Sequence, residues 1–312
     1  MPKWKQPKIV VSFKMPETLV TILTAHLLAD FTLQTKWIVK HKRNIGVLLI
    51  HVAIVTTISC LLMGAFHWPI LVAIFLMHFA IDAIKVYRMA DSLVPFLIDQ
   101  CAHLVVLVGL AWLFPDTATS GWWATALPNG LSQWYFASMS FLSGLILTVH
   151  AGGILVGKAT SSFTEEIGDE GIEGLKNGGK YIGWLERFLV MLFLLINQPT
   201  GIGFLIAAKS ILRFGEIKNA GERKVAEYII IGTFLSFGWA LLISVLTQHA
   251  IQHWLPPPTT QATTQPTTQT TIQTTTQPDT NDDTDDRICK EQPKTVFYAF
   301  SLDREVYELR LP

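Results

Sequence analysis

Three apolar, membrane-length segments of this chain each carry a histidine and an aspartate four residues apart. The pairs are His26/Asp30 in HLLAD, His78/Asp82 in HFAID and, reversed, Asp99/His103 in DQCAH, with His51 alone in a further segment. Residues at i and i+4 stand above one another on one helix face, so each pair aims two metal ligands or proton carriers the same way. Ionisable groups at membrane depth are costly and persist where they face a protein interior and act there. Four imidazoles with three carboxylates suit Zn, Mn or Fe better than Ca or Mg, because hard cations make little use of imidazole. The set is large enough for two metals, or for one metal with carboxylates orienting each imidazole. A divalent transition metal here would lower the pKa of a water to ~7 and make a nucleophile at the membrane boundary.

Within this set, Asp82 and Asp99, together with Lys85 one turn past Asp82, are assigned to the chemistry. Gln34, one turn past Asp30, and Lys85 are placed to hold an anionic substrate or a leaving group. No HExxH motif is present, so the expectation rests on convergence. The structural alternative is that these residues cross-link helices through hydrogen bonds.

The elements that must position them are set by composition. Half of the 312 residues are hydrophobic and 15% are charged, against about 25% charged in soluble domains, and mean hydropathy is +0.38. These values define an integral membrane protein. Formal net charge is zero, which gives no reason to expect nucleic-acid binding. Cys60 and Cys101 lie in apolar segments and Cys289 far off in the tail, so neither a disulfide framework nor a thiolate metal motif is visible. The start, MPKWKQPKIVVSFK before an apolar run, imitates a signal peptide. His26 and Asp30 interrupt that run and no small-x-small cleavage site follows, so it reads as a retained first helix.

A spanning helix needs ~20 mostly apolar residues, and candidates fall at about 17–35, 45–63, 68–85, 94–114, 134–157 and 226–248. The stretch 181–214 is broken by Asn197-Gln198-Pro199 and reads as two short helices, about 182–196 and 200–214, in a hairpin or as re-entrant halves. The expected architecture is an all-α polytopic bundle of about seven or eight membrane segments. Its expected divisions are a basic arm (1–16), a helical domain (17–250), a disordered Thr/Gln/Pro-rich and acidic linker (256–286) and a tail (287–312) with sequence for two short strands.

Lysines and arginines cluster in the loops 36–43, 85–91, 158–180 and 213–224, while 64–67 and 115–133 contain none. The positive-inside rule then puts the basic loops in the cytoplasm and both termini outside. Lys3, Lys5, Lys8 and Lys14 oppose that arrangement; if they hold the N-terminus inside, the first segment is re-entrant. With a rise of 1.5 Å per residue, His51 lies roughly 9 Å from the cytoplasmic start of its helix. Asp82 lies near a cytoplasmic helix end, Asp99 and His103 early in a helix starting there, and Asp30 and Gln34 near the inner end of the first segment. All seven groups therefore fall in one leaflet.

Other polar residues read more plainly. His150, in the inner half of its helix, reads as a packing residue with an eighth ligand as the alternative, His41 and His67 as solvated, and Glu186/Arg187 as an internal ion pair. Gly153/Gly157 give a small-xxx-small spacing for close helix contact. Lys209 and Arg213 suit either inner-surface lipid contact or a clamp for a substrate phosphate.

HLLADFTLQ, IHV, HFAIDAIK, FLIDQCAH and the later GWLERFLV, GFLIAAKSILRFGE and AEYIIIGTFLSFGWALL together resemble the bacterial multi-pass membrane family called domain of unknown function 3307, over roughly residues 17–248. The resemblance implies a bacterial inner-membrane protein and carries no activity with it. From the residues themselves, the leading expectation is a metal-dependent hydrolase acting on an amphipathic, lipid-like substrate at the cytoplasmic leaflet. A proton or divalent-metal transporter and a non-catalytic membrane scaffold are the alternatives, and the sequence leaves room for a homo-oligomer.

Overall fold

In the computed structural model, residues 15–128, 131–167, 177–214 and 220–255 are described, and all lie within one compact unit, Met1–Thr260. They form helices, with no strand among them. Residues 1–14 of the basic arm, the linker and the tail with its two expected strands lie outside the described residues.

The first bundle comprises α1 (Met15–Leu27), prolonged by a π-helical turn (Leu28–Leu33), then a short α2 (Lys36–His41), α3 (Ile45–Met63), α4 (Trp68–Arg88) and α5 (Leu93–Leu113). After α6 (Trp122–Ala126), a second bundle contains α7 (Leu131–Ile146), a second π-helical turn (Leu147–Ala151), α8 (Gly152–Ala159), α9 (Ser161–Ile167), α10 (Gly178–Leu195), α11 (Thr200–Phe214) and α12 (Ala220–Trp254). Among the described residues, five helical stretches are long and apolar enough to cross a membrane: 45–63, 68–88, 93–113, 131–159 and 223–254. α1, α10 and α11 are shorter or more charged.

Local chemistry sets the boundaries. Asn44 caps α3 by accepting from Gly46 N at 2.8 Å, and Thr35 caps α2 by accepting from Ile38 N at 3.3 Å. Gly64 ends α3 with φ +63, the left-handed conformation that a residue with Cβ disfavours, and Trp122 and Trp123 pack where that Cβ would stand. Pro69 sits in the first turn of α4, where its missing N–H costs nothing. Asn197 at φ 55, followed by Pro199, turns the chain between α10 and α11, which pack as the expected hairpin. α10 begins at Gly178, earlier than the apolar run alone suggested, and α12 extends the expected 226–248 segment at both ends.

The helices alternate in direction, so the loops gather at two ends. At the basic end, Tyr87 Oη donates to Arg43 O at 2.9 Å and Lys158 pairs with Asp91. At the other end, Trp122 N donates to Gly64 O at 2.7 Å, Trp123 Nε1 to Leu61 O at 2.6 Å, and Thr18 Oγ1 to Pro115 O at 2.8 Å. α1 therefore starts at the end whose loops lack Lys and Arg. Exposed Trp68, Trp112, Trp122, Trp123 and Trp134 girdle that end, and exposed Trp37, Tyr87 and Tyr181 the basic one. Such aromatic belts mark membrane–water interfaces. Between them the outer surface carries exposed Leu49, Leu76, Val105, Phe234 and Leu242, as a lipid-facing wall requires.

The bundles meet along α1 and α7, where the buried residues are small. Thr24 Oγ1 and Ser143 Oγ are 2.8 Å apart, and Thr24 Oγ1 also lies 3.1 Å from Met139 O. Close approach through small hydroxylated residues is the usual membrane solution. The Gly153/Gly157 spacing does not serve this purpose: nothing lies within 4 Å of where a Cβ on Gly157 would be, whereas one on Gly144 would meet Thr247 Oγ1 of α12 at 2.0 Å.

In a variant with its native cysteines replaced, a cysteine at Thr119 is expected to react with a membrane-impermeant maleimide from the non-cytoplasmic side. One at Asp91 should react from the cytoplasmic side. Thr119 labelling from the cytoplasmic side alone would reverse the orientation.

Candidate functional site

Each helix of the first bundle presents one inward stripe whose chemistry changes along its length. In α4 the buried stripe runs Ile70, Ile74, His78, Asp82; in α5 it runs Asp99, His103, Leu107, Ala111. In α3, His51 precedes Val55, Ser59 and Met63, and in α1, Ile22 precedes His26. Because neighbouring helices run in opposite directions, polar residues late in α1 and α4 meet those early in α3 and α5. The polar parts form one layer towards the basic end. Ile22, Val55, Met63, Ile70, Leu71, Ile74, Leu107, Leu110 and Ala111 form an apolar core beneath it.

Within the layer the seven side chains converge. His51 Nε2 lies 3.2 Å from His78 Nε2, 3.3 Å from Asp30 Oδ1 and 3.4 Å from Asp82 Oδ2. His78 Nε2 lies 3.5 Å from Asp30 Oδ1 and 3.4 Å from Asp82 Oδ2. His26 stacks on His103 with ring centroids 4.7 Å apart, and His103 lies 4.4 Å from His78. His26 Nδ1 is 3.9 Å from Asp30 Oδ2, and His103 Nδ1 is 2.9 Å from Asp99 O. Three sets can each offer donor atoms lying within 4.8 Å of one another: His26/Asp30/His78/His103, His51/His78/Asp82 and Asp82/Asp99/His103. His26 and His103 both face the interior and are buried.

The π-helical turn contributes directly. It carries Asp30 and ends one residue before Gln34, whose Nε2 reaches His51 Nε2 at 3.3 Å. Widening by one residue per turn re-aims side chains, and π-turns occur often at functional sites.

Two lysines neutralise part of the negative charge. Lys42 Nζ lies 2.8 Å from Asp82 Oδ2, a charge contact outside hydrogen-bond angles, and Lys85 Nζ donates to Asp99 Oδ2 at 2.6 Å. Gln100 Nε2 donates to the same oxygen at 2.9 Å. Even so, His26 Nδ1, Asp30 Oδ1, His51 Nδ1, both Asp82 carboxylate oxygens, Asp99 Oδ1 and His103 Nε2 are buried without a hydrogen-bond partner in the protein. Buried polar atoms are satisfied in the great majority of native structures, so this concentration of unpartnered atoms in one layer is unusual.

Lys42 and Gln100 were not singled out in the sequence. Lys42 looked like one more loop lysine; Tyr87 holds the following residue's carbonyl and so turns the loop over Asp82. Gln100, next to Asp99, carried no spacing signal. Lys85 and Gln34 are at the cluster, and Lys85 is engaged by Asp99. Lys209 is paired with Glu186 at 2.8 Å rather than with any cluster residue. Arg213's side chain lies outside the described residues. The expected Glu186/Arg187 pair is replaced: Glu186 turns to Lys209, while Arg187 donates to Ser236 Oγ and Val149 O, both at 3.1 Å. Adjacent helical residues point about 100° apart, so different helices take them. His150 packs on Trp184 at 4.9 Å, and His41 and His67 are exposed, as read.

The fold and the cluster together define a multi-pass membrane protein with a buried His/Asp centre. Residues 18–127 match the model of the family described as Protein of unknown function (DUF3307), the family that the motifs from HLLADFTLQ to FLIDQCAH resemble; the motifs after residue 180 lie beyond the match. The match spans α1 to α6, and so every residue of the His/Asp cluster. No curated protein and no solved structure matches the chain.

Lys42→Met tests the charge arrangement. Removing one partner of a buried pair typically costs ~3–5 kcal/mol, because the other charge is left unpaired. The variant should melt at lower temperature than wild type. Equal Tm values without metal would show that the Lys42–Asp82 contact carries no energetic weight.

Proposed function

We propose that the His/Asp cluster is a transition-metal centre and that the protein is a metal-dependent hydrolase of the cytoplasmic membrane, acting on an amphipathic ester or phosphoester. One observation carries the reading: imidazole nitrogens and carboxylate oxygens stand at metal-ligand spacing, and the carboxylate corners, Asp30 Oδ1 and Asp82 Oδ2, have no hydrogen-bond partner among the described residues. A tetrahedral metal with ~2.0–2.2 Å bonds sets its ligands ~3.3–3.6 Å apart, and an octahedral one with ~2.1 Å bonds sets neighbouring ligands ~3.0 Å apart. The triangles His51/His78/Asp82 and His51/His78/Asp30 have edges between 3.2 and 3.5 Å. They share the His51–His78 edge, so folded together they are faces of one tetrahedron, and opened out they serve two ions.

Charge balance favours one. With neutral imidazoles, the three carboxylates exceed the two paired ammonium groups by one negative charge. A single divalent ion leaves a modest positive excess suited to an anionic substrate; two ions leave a large one at membrane depth, which is costly. Bound there, the metal supplies Lewis acidity and an activated water.

The protein's own groups serve the rest. Half-buried Gln34, Lys85 and Gln100 border the cluster, and the basic loops bring them to the polar end, where an anionic head enters without crossing lipid. Asp99 and Gln100 orient Lys85 and His103. The far side of the first bundle supports hydrolysis over transport, since an ion path needs ionisable groups through both halves and the groups buried beside that apolar core are the neutral hydroxyls of Thr18, Thr21, Thr24, Ser59 and Ser143. The break at 197–199 supports the same choice, because its residues are exposed in a hairpin turn at the non-basic end rather than lining the centre.

Purified protein is expected to hold about one transition-metal ion per chain, measured by mass spectrometry of the elements, and His78→Ala or Asp82→Ala should strip it. Metal absent from wild type after reconstitution, or unchanged in both variants, would defeat the reading. With metal present, Asp82→Asn should abolish turnover of an amphipathic ester or phosphoester while the helices stay assembled, because the amide keeps the size and loses the charge. Metal- or proton-dependent flux in proteoliposomes, lost in Asp82→Asn and without any hydrolysis, would make the protein a transporter.

A further inference from the structure

The second bundle contains a buried cation that makes no direct ion pair among the described residues. Arg187 lies in the middle of α10, buried against α12 and the second π-helical turn. Its two contacts are both neutral, Ser236 Oγ and Val149 O, and its Nε–H has no acceptor in the protein. Among the described residues no carboxylate pairs with it, since Glu186 is engaged by Lys209. A guanidinium stays charged when buried, and two neutral hydrogen bonds do not offset the loss of its hydration.

The surroundings supply further donors. A Cβ on Gly153 would come within 2.9 Å of Arg187 Nη2, and one on Gly183 within 3.0 Å of Nη1, so the guanidinium packs directly over the two glycines, which lets it lie between the helices. Trp184 Nε1 lies 3.6 Å from the same Gly153 position. His150 packs on Trp184, and its Nδ1 is buried without a partner. Lys180 Nζ stands 4.6 Å over the Trp184 ring, one end of α10 away from the middle where Arg187 sits. Donors and positive charge thus converge from α10 and from the π-turn, and the one nearby carboxylate is already in use.

We propose that Arg187, with His150, Trp184 and Lys180, forms an anion site for a phosphate or phosphomonoester group. The planar guanidinium fork matches phosphate oxygens two at a time, and Lys180 adds charge on the side facing the basic end. The site uses no residue of the His/Asp cluster, and so stands apart from the metal reading.

The test uses the full-length chain in detergent and in nanodiscs. Inorganic phosphate is titrated by calorimetry, and phosphatidic acid is compared with phosphatidylcholine by native mass spectrometry; metal content is recorded on the same samples. Wild type is expected to bind phosphate or retain phosphatidic acid selectively. Arg187→Gln should weaken that binding ~10-fold or more, with Arg187→Lys intermediate because it keeps charge but loses the fork. Binding of inorganic phosphate identifies a soluble phosphate ligand, and retention of phosphatidic acid alone identifies a lipid headgroup. If Arg187→Gln does not fold, His150→Ala and Lys180→Gln serve instead, each weakening the same binding several-fold. No binding to wild type, or affinity unchanged in the folded variants, overturns the proposal; metal content unchanged across the Arg187 variants keeps the two centres distinct.

Discussion

Three carboxylates are buried inside a bundle whose outer wall is built for lipid, and their charge must be met from within. The first bundle can be understood as the answer to that requirement. Lys42 reaches in from a loop to Asp82, Lys85 crosses from α4 to Asp99, and imidazoles of His26, His51 and His78 crowd Asp30. Each contact fixes a helix rotation: α4 must face both α1 and α5, and the α2–α3 loop must fold over the end of α4. A bundle held only by Leu and Ile packing could rotate its helices against lipid at small cost, whereas this one has its register set by charge.

The same requirement explains the two-tone stripes. A helix that was polar along its whole inner face would open a wet path through the membrane, and one that was apolar throughout would have nowhere to place the aspartates. Placing the polar residues at one end of each stripe confines the charge to the end where the basic loops and half-buried Gln34, Lys85 and Gln100 lie. Ile22, Ile70, Ile74 and Leu107 close the other side. The second bundle braces α1 through α7, and the two π-helical turns, one carrying Asp30 and one carrying His150, pack on each other. Both lie where polar centres adjoin the bundle interface.

Much of the first bundle was legible because its signals are local. The i,i+4 His/Asp pairs fix faces, apolar length fixes spans, and the alternation of basic loops fixes direction, which together place all seven residues at one depth. Contacts that depend on how a loop folds or how two helices rotate were not legible. Lys42 is indistinguishable in sequence from Lys36 or Lys40, and Gln100 has no period that links it to Lys85. Glu186 and Arg187, adjacent in the chain, invited a pairing that helical geometry forbids, because neighbouring side chains diverge. Gly153 was read for helix contact, and a guanidinium packs over it instead. The π-turns leave no composition signal, since Leu28–Leu33 and Leu147–Ala151 read as ordinary helix.

The central claim is that His51 and His78, with Asp30 and Asp82, hold a transition metal. X-ray absorption on the purified, metal-loaded protein tests it most directly, because it reports the element, the bond lengths and the imidazole rings in one measurement. The account predicts a Zn, Mn or Fe edge, nitrogen and oxygen neighbours at ~2.0–2.2 Å, and outer-shell scattering from at least two imidazoles that is lost in His51→Ala/His78→Ala. A metal whose scattering shows no imidazole, or is the same with and without those two histidines, would contradict it.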